Sequence, residues 1–356
     1  MVPGTFALTS CLARFPSQGA WHLFGQKVPG PLRETVEKST FWLWTTSKVP
    51  GTFEGEWCQA RLARADWRME IIHTIAELRE RLDAHRANGA TIGFAPTMGA
   101  LHHGHRSLMV AAAERNDVAV MSIFVNPLQF APDEDLDTYP RMLDADTEMA
   151  ESAGVRYAFV PSVAEMYPQE NWTTVSLRVV TEPWEGASRP THFAGVATVV
   201  TKLFNIVGPC RAYFGEKDYQ QLAMLRRMAA DLNQPVEVIG LPTIREDDGL
   251  AMSSRNLRLL PEHRAEAPIV SAALRAGIEA IDAGERDPAA VEGIIRAKIA
   301  TATHAEEPDY VAVVDAASLL VPERLSGDVR LLTAVRFGDV RLIDNMGTSV
   351  PDGASA

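Results

Sequence analysis

The chain has 356 residues, 46% of them apolar and 22% charged, with a formal net charge of −12. That length holds two domains and a substantial core, and the negative balance excludes a general nucleic-acid binder, so any polyanion site must be local. Three cysteines (Cys11, Cys58, Cys210) offer no disulfide framework and point to a reducing cytoplasm, and neither a membrane-length apolar run nor a secretory signal is present.

Residues 1–68 differ from the rest. Val2-Pro3-Gly4-Thr5-Phe6 recurs as Val49-Pro50-Gly51-Thr52-Phe53, and Lys27-Val28-Pro29-Gly30 is a partial third copy. Five of the seven tryptophans (Trp21, Trp42, Trp44, Trp57, Trp67) lie here, with eight Lys or Arg against five Asp or Glu. Pro-Gly pairs interrupt any helical stripe or strand alternation. Acidic residues among the arginines do not suit a transit peptide. The segment reads as a repeat-containing extension, disordered or not native, with Met69 starting the folded chain.

From Met69 strands and helices alternate. A strand at 69–72 leads to Thr74, an N-cap, and a helix with Ile75, Leu78 and Leu82 on one stripe. Strand 91–96 stops at a small-residue loop, Thr97-Met98-Gly99-Ala100, and a helix opens at His102-His103-Gly104-His105. Strand 118–124 runs into Asn126-Pro127-Leu128-Gln129 and an acidic loop, 132–137, read as a solvated turn. A helix (142–153), a strand (157–160) and a short helix after Ser162 follow. Arg189-Pro190-Thr191-His192-Phe193 precedes an apolar helix ending at Val207. Strand 211–214 enters Gly215-Glu216-Lys217-Asp218-Tyr219-Gln220-Gln221 and a helix to Leu232; strand 236–241 enters Thr243-Ile244-Arg245 and then Met252-Ser253-Ser254-Arg255-Asn256.

The alternation implies a parallel, Rossmann-like sheet over 69–245. Beyond a hinge near 245–255, helices at 262–283 and 287–303 and strands at 310–314, 330–334 and 341–343 form a smaller α+β domain, 246–345, with 346–356 a frayed tail. In parallel sheets ligands sit past the carboxyl ends of the strands. Four polar clusters, 97–105, 126–129, 215–221 and 244–255, each follow a strand and would meet at one edge.

That edge would hold an anion. Glycines permit close backbone approach, N–H groups at a helix start favour negative charge, and histidines, Lys217, Arg255 and serine hydroxyls suit a triphosphate. Asn126, Gln129 and Gln221 suit a small hydroxylated substrate. Zinc on His102 and His105, three apart on a helix face, is the weaker reading, because no Cys or HExxH spacing accompanies them. Walker A, GxGxxG and GxSxG motifs are missing, against P-loop ATPases, NAD enzymes and serine hydrolases.

The motifs PTMGALHHGH, FVNPLQF, RPTHFAGV, FGEKDYQQL and DGLAMSSRN, in this order, resemble those of the pantothenate synthetase (pantoate–β-alanine ligase) family over about Met69 to Asn345. The resemblance implies a HIGH-type nucleotidyltransferase, with Met252 to Arg255 as counterpart of the KMSKS loop. It implies ATP- and Mg²⁺-dependent joining of (R)-pantoate to β-alanine through pantoyl adenylate, releasing diphosphate and then AMP, by a cytoplasmic homodimer.

By the same resemblance, Met98, Gly99, Ala100, Leu101, His102, His103, Gly104 and His105 line ATP, with His105 at the proton-donor position and His102 supporting phosphate binding. Gly215, Glu216, Lys217 and Asp218 form a second ATP segment, Lys217 neutralising phosphate and Asp218 near the ribose. Ile244, Met252, Ser253, Ser254 and Arg255 complete it. Gln129 and Gln221 would hold pantoate, Gln129 lying also near β-alanine. His103 departs from the family pattern, where this position is variable and often acidic. The rival readings are another HxGH nucleotidylyltransferase, which would lack the FVNPLQF and EKDYQQ context, and an inactive binding scaffold of the same fold.

Overall fold

Six parallel strands, β1 (Glu70–Ile72), β2 (Ile92–Thr97), β3 (Val118–Ile123), β4 (Tyr157–Phe159), β5 (Cys210–Gly215) and β6 (Val236–Leu241), form one sheet in the order β1-β4-β3-β2-β5-β6. The computed structural model describes residues 68–130 and 141–351, with the backbone of an antiparallel pair, His22–Leu23 against Gln26–Lys27. Arg68–Ala356 is a unit of its own. The N-terminal repeats, the acidic loop 132–137 and the end of the tail lie outside the described residues.

Successive residues of a strand face opposite sides, and both sides of this sheet are buried, so its inner strands are nearly continuous apolar runs. Phe94, Val120, Phe159 and Phe214 enter one core; Ala95, Met121, Ala158 and Tyr213 enter the other. The first core is covered by α1 (Ile75–Ala87), capped by Thr74 Oγ1, by α4 (His192–Val207) and by α5 (Tyr219–Asp231). The second lies under α2 (His103–Arg115), whose Ala111, Ala112 and Ala113 allow close approach, and α3 (Leu143–Ser152). Helix α4 is apolar on nearly every side because it is buried on nearly every side: Val196, Val200, Leu203, Phe204 and Val207 are all core. Each such side chain contributes about 1.5–3 kcal/mol.

The second sheet is antiparallel, β9-β8-β7, built from β7 (Tyr310–Asp315), β8 (Gly327–Phe337) and β9 (Val340–Val350) and covered by α6 (Ile269–Asp282) and α7 (Pro288–Ile299). Ala312, Val314 and Leu332 also join the core of the parallel sheet, so the two sheets share buried surface. The expected helix 262–283 is two helices, Pro261–Glu266 and α6, because Pro268 cannot continue the hydrogen-bond ladder. The last strand continues past Ile343 to Val350, which pairs with Gly327, so 346–350 are paired strand rather than the frayed tail expected over 346–356.

Strand order reverses between β2 and β5, making the gap beyond their carboxyl ends the topological switch point. Register aligns Thr97 with Ile123 and Gly215 with Leu241, so the clusters following β2, β3, β5 and β6 all leave from this edge.

Candidate active site

Past β2 the backbone turns sharply. Gly99 adopts φ +87° and Ala100 φ +51°, and a side chain at Gly99 would come within 3.0 Å of the Asp146 carboxylate. Buried Asp146, on α3, accepts the Ala100 N–H at 3.0 Å and the Leu101 N–H at 2.8 Å. His102 then caps α2: its Nδ1 accepts the Gly104 N–H at 3.1 Å, while His105 Nδ1 accepts the His102 N–H at 3.3 Å. This is a reciprocal capping box with histidine in the place of glutamate.

Two expectations are corrected here. The N–H groups of Ala100, Leu101, His102 and Gly104 already have protein acceptors, so the loop backbone is not the open anion cradle its glycines suggested. His102 is an extended N-cap rather than a helical residue, so it shares no helix face with His105.

A ring nitrogen that accepts a hydrogen bond carries no proton, so both imidazoles hold theirs on Nε2. The rings lie 4.0 Å apart between centroids. Burial, then the neighbouring His102 and Lys217, lower the His105 pKa to about 3 against an opposing pull from Asp218. Burial, then Lys217, also lower that of His102. At neutral pH the pair therefore presents uncharged Nε2–H donors, and the positive charge nearby comes from Lys217. His103, the first helical residue, is exposed.

After β3, Asn126 is 1% exposed and fully used. Its Oδ1 accepts the Tyr167 hydroxyl at 2.9 Å and the Leu128 N–H at 3.3 Å; its Nδ2 donates to Gly195 O at 3.2 Å and Gln129 Oε1 at 3.3 Å. Expected as a substrate contact, Asn126 instead braces Gln129. Gly195 makes the bracket feasible, since a Cβ there would lie 2.2 Å from the Leu128 carbonyl oxygen. The Gln129 amide is otherwise spent only on the weak Met98 Sδ acceptor, at 2.8 Å, and the Gln129 carbonyl accepts from His192 Nδ1 at 3.1 Å.

After β5, a 3₁₀ turn, Glu216–Asp218, lifts Lys217 into the edge, its ammonium 3.9 Å from the Asp218 carboxylate. The two glutamines that follow divide the labour. Gln220 is buried, bonded to Val180 O, Pro183 O and the Glu185 N–H, and is structural. Gln221 faces an open cleft of about 490 Å³ with Lys217, Asp218, Arg255, Arg189 and His192. A contiguous recess of about 330 Å³ adds Ser253 and Ala251, with Lys217 and Arg255 common to both.

The loop after β6 folds back on itself through an Arg245–Ala251 bridge and a Met252 N–H to Ile244 O bond at 2.9 Å. Ser253 Oγ accepts the Arg255 N–H at 3.2 Å and starts the turn carrying Arg255. Ile244, Met252 and Ser254 belong to this loop without lining either cleft, as do Met98 to Leu101 on the opposite loop. Arg189 and His192 stand in the RPTHFAGV motif without an expected role of their own, and Asp146 lies in the helix expected over 142–153 without one either.

These arrangements have close relatives. The sequence profile of the pantoate–β-alanine ligases matches residues 70–347. The chain belongs to the pantoate–β-alanine ligase family. Among its relatives, the pantothenate synthetase of Moorella thermoacetica is 52% identical over 284 residues, covering 80% of this chain and all of that protein. That of Allorhizobium ampelinum is 53% identical over 277 residues, covering 78% of this chain and 96% of its own. The crystal structure of the Thermus thermophilus pantothenate synthetase superposes with a TM-score of 0.74 at 46% identity, covering 78% of this chain and 99% of that one. The Francisella tularensis pantoate–β-alanine ligase, described in complex with β-γ ATP and β-alanine, has a TM-score of 0.63 at 34% identity, covering 78% and 97%. The family's fold thus accounts for the parallel sheet and the three-stranded antiparallel sheet.

Proposed function

We propose that this chain condenses (R)-pantoate with β-alanine at the expense of ATP, through a pantoyl-adenylate intermediate. The observation that carries the reading is the place of Lys217, which acts electrostatically on the neutral His102–His105 pair and borders, with Arg255, both clefts, one of them shared with Gln221. The Francisella ligase, complexed with β-γ ATP and β-alanine, supports it.

The first step joins a pantoate carboxylate oxygen to the α-phosphorus and breaks its bond to the diphosphate. The nucleophile is already ionised at neutral pH, so no base is needed for it. What the step needs is alignment and stabilisation of charge on the phosphoryl oxygens. Imidazole Nε2–H groups donate to those oxygens without adding charge, and Lys217 and Arg255 neutralise the departing diphosphate. Gln129, braced by Asn126, and Gln221 hold the hydroxyls and carboxylate of pantoate. In the second step the β-alanine amine attacks the acyl carbon, a C–N bond forms, the bond to AMP breaks and the amine loses a proton.

Mg²⁺ would neutralise ATP phosphates. Among the described residues no group of three His, Cys, Asp or Glu is placed to hold a metal by itself. The half-exposed carboxylate of Asp218, beside Lys217 on the cleft, would be the residue to hold such an ion together with phosphate and water oxygens.

No helix among the described residues is long and apolar enough to cross a membrane. A cytoplasmic homodimer is the expected form, and light scattering on the purified chain tests the dimer. The family match starts at residue 70, which supports Met69 as the start of the catalytic unit.

The test is to mix ATP with pantoate alone and then add β-alanine. Diphosphate release in the first mixture and AMP with pantothenate in the second are expected. Neither product would indicate the inactive scaffold, and nucleotidyl transfer to another acceptor would indicate a different transferase.

A further inference from the structure

Strand β9 reaches across from the antiparallel sheet and carries at its middle a buried polar pair, Asp344 and Asn345, each 4% exposed. Buried amides and carboxylates are costly unless fully bonded, so such a pair needs partners that repay it. The partners of Asn345 are unusual. Its Nδ2 donates to two consecutive backbone carbonyls, Glu216 O and Lys217 O, both at 2.8 Å. These belong to the three-residue 3₁₀ turn that carries Lys217, whose carbonyls have a second lone pair open to an outside donor.

The amide is itself held. Its Oδ1 accepts Arg330 Nε at 2.8 Å, and Arg330 Nη2 reaches the Glu216 carboxylate at 2.9 Å. The same guanidinium lies 3.8 Å over the Tyr219 ring, so Arg330 grips the residues on either side of Lys217-Asp218. The neighbouring Asp344 accepts Arg245 Nη1 and Nη2 at 2.7 and 3.0 Å, and Arg245 also bonds Gly249 O within the loop that ends in Arg255. One strand thus fixes both phosphate-facing loops, 216–218 and 245–255, relative to each other.

We propose that Asn345 is a positioning residue for adenylate formation, setting the direction in which the 216–218 turn projects Lys217. The inference rests on the reading of Lys217 as a phosphate-neutralising group. Lys217 borders both clefts, so rotation of its peptide displaces the ammonium from the phosphates while leaving the acyl end of the substrate in place. A displacement on the order of 1 Å costs about 10²-fold in rate. The two half-reactions are therefore affected differently: diphosphate is formed only in the first, and aminolysis of pantoyl adenylate needs no charge at the departed diphosphate.

The experiment compares wild type, Asn345→Ala, Asn345→Asp, Lys217→Ala and the Asn345→Ala/Lys217→Ala double variant in the full chain. Diphosphate release from ATP and pantoate is measured separately from aminolysis of supplied pantoyl adenylate. Asn345→Asp keeps the shape and the bond to Arg330, and it sets a carboxylate oxygen against both carbonyls in place of their Nδ2 donor, so the unfolding midpoint of each Asn345 variant is measured beside its rates. Each Asn345 variant is expected to slow diphosphate release ten- to a hundredfold and aminolysis less than threefold. On the Lys217→Ala background, Asn345→Ala should add less than a threefold further loss. Equal losses in both half-reactions, or losses that multiply fully in the double variant, would overturn the proposal by making Asn345 a structural residue only. Wild-type diphosphate release by Lys217→Ala would instead remove the reading of Lys217 on which it rests. Impaired Lys217→Ala beside an unaffected Asn345→Asp would overturn the positioning role alone.

Discussion

Replacing Asp146 with asparagine isolates one carboxylate on which the shape of the first nucleotide loop depends. Its two oxygens take the N–H groups of Ala100 and Leu101, just where the chain passes through two consecutive positive-φ residues. An asparagine can accept only one of these bonds; its NH₂ then faces the other N–H, donor against donor. One charge-assisted bond is lost and one half-buried N–H is stranded, together about 2–4 kcal/mol of stability. Part of that loss can be relieved by the loop relaxing out of the left-handed conformation at Ala100, which would displace His102 and His105 with it. We expect a lower urea midpoint followed by circular dichroism, and diphosphate release slowed by about 10²-fold for a shift on the order of 1 Å. An Asp146→Asn chain with the wild-type midpoint and wild-type dependence on ATP would show that the carboxylate does not hold the loop.

Lys217→Ala and His105→Ala are each expected to reduce adenylate formation by about 10²–10³, since one charged or donor contact in a dry site is worth that much; wild-type turnover in either would refute its role. Lys217→Ala should leave the unfolding midpoint close to wild type, whereas His105→Ala also removes the acceptor of the His102 N–H in the capping box and should lower it. The low His105 pKa of about 3 carries a pH signature. Between that value and the ordinary 6.5 the unfolded chain binds a proton that the folded chain refuses, so stability falls as pH drops from 6.5 towards 3, by up to about 1.4 kcal/mol per unit. His105→Gln should lose this component, and denaturation profiles that stay parallel to wild type across the window would contradict it.

The elements that position the site were readable because buried parallel strands are apolar runs that stop abruptly at polar loops. Ile92 to Ala95 before Met98 and Val118 to Met121 before Asn126 needed no tertiary information. The roles of individual polar residues were less accessible. Asn126 and Gln129 are both amides near a strand end and both read as substrate contacts, and only the arrival of Tyr167 and Gly195 from distant segments shows that the first is spent as a brace. Asp146 sits on a helix with other acids, and its partners lie 45 and 46 positions earlier. Gln220 and Gln221 are adjacent and identical in type and both border the cleft, yet only Gln220 is buried with its amide spent on Val180, Pro183 and Glu185. The histidine capping box was hidden because glutamate or glutamine ordinarily fills that position.

The most direct measurement is product formation by the purified chain, in full length and starting at Met69, with each substrate omitted in turn. Diphosphate appearing only with ATP and pantoate, AMP and pantothenate only after β-alanine is added, and equal rates for the two lengths are the predicted results. AMP formation independent of pantoate, or no diphosphate with ATP and pantoate, would contradict the account.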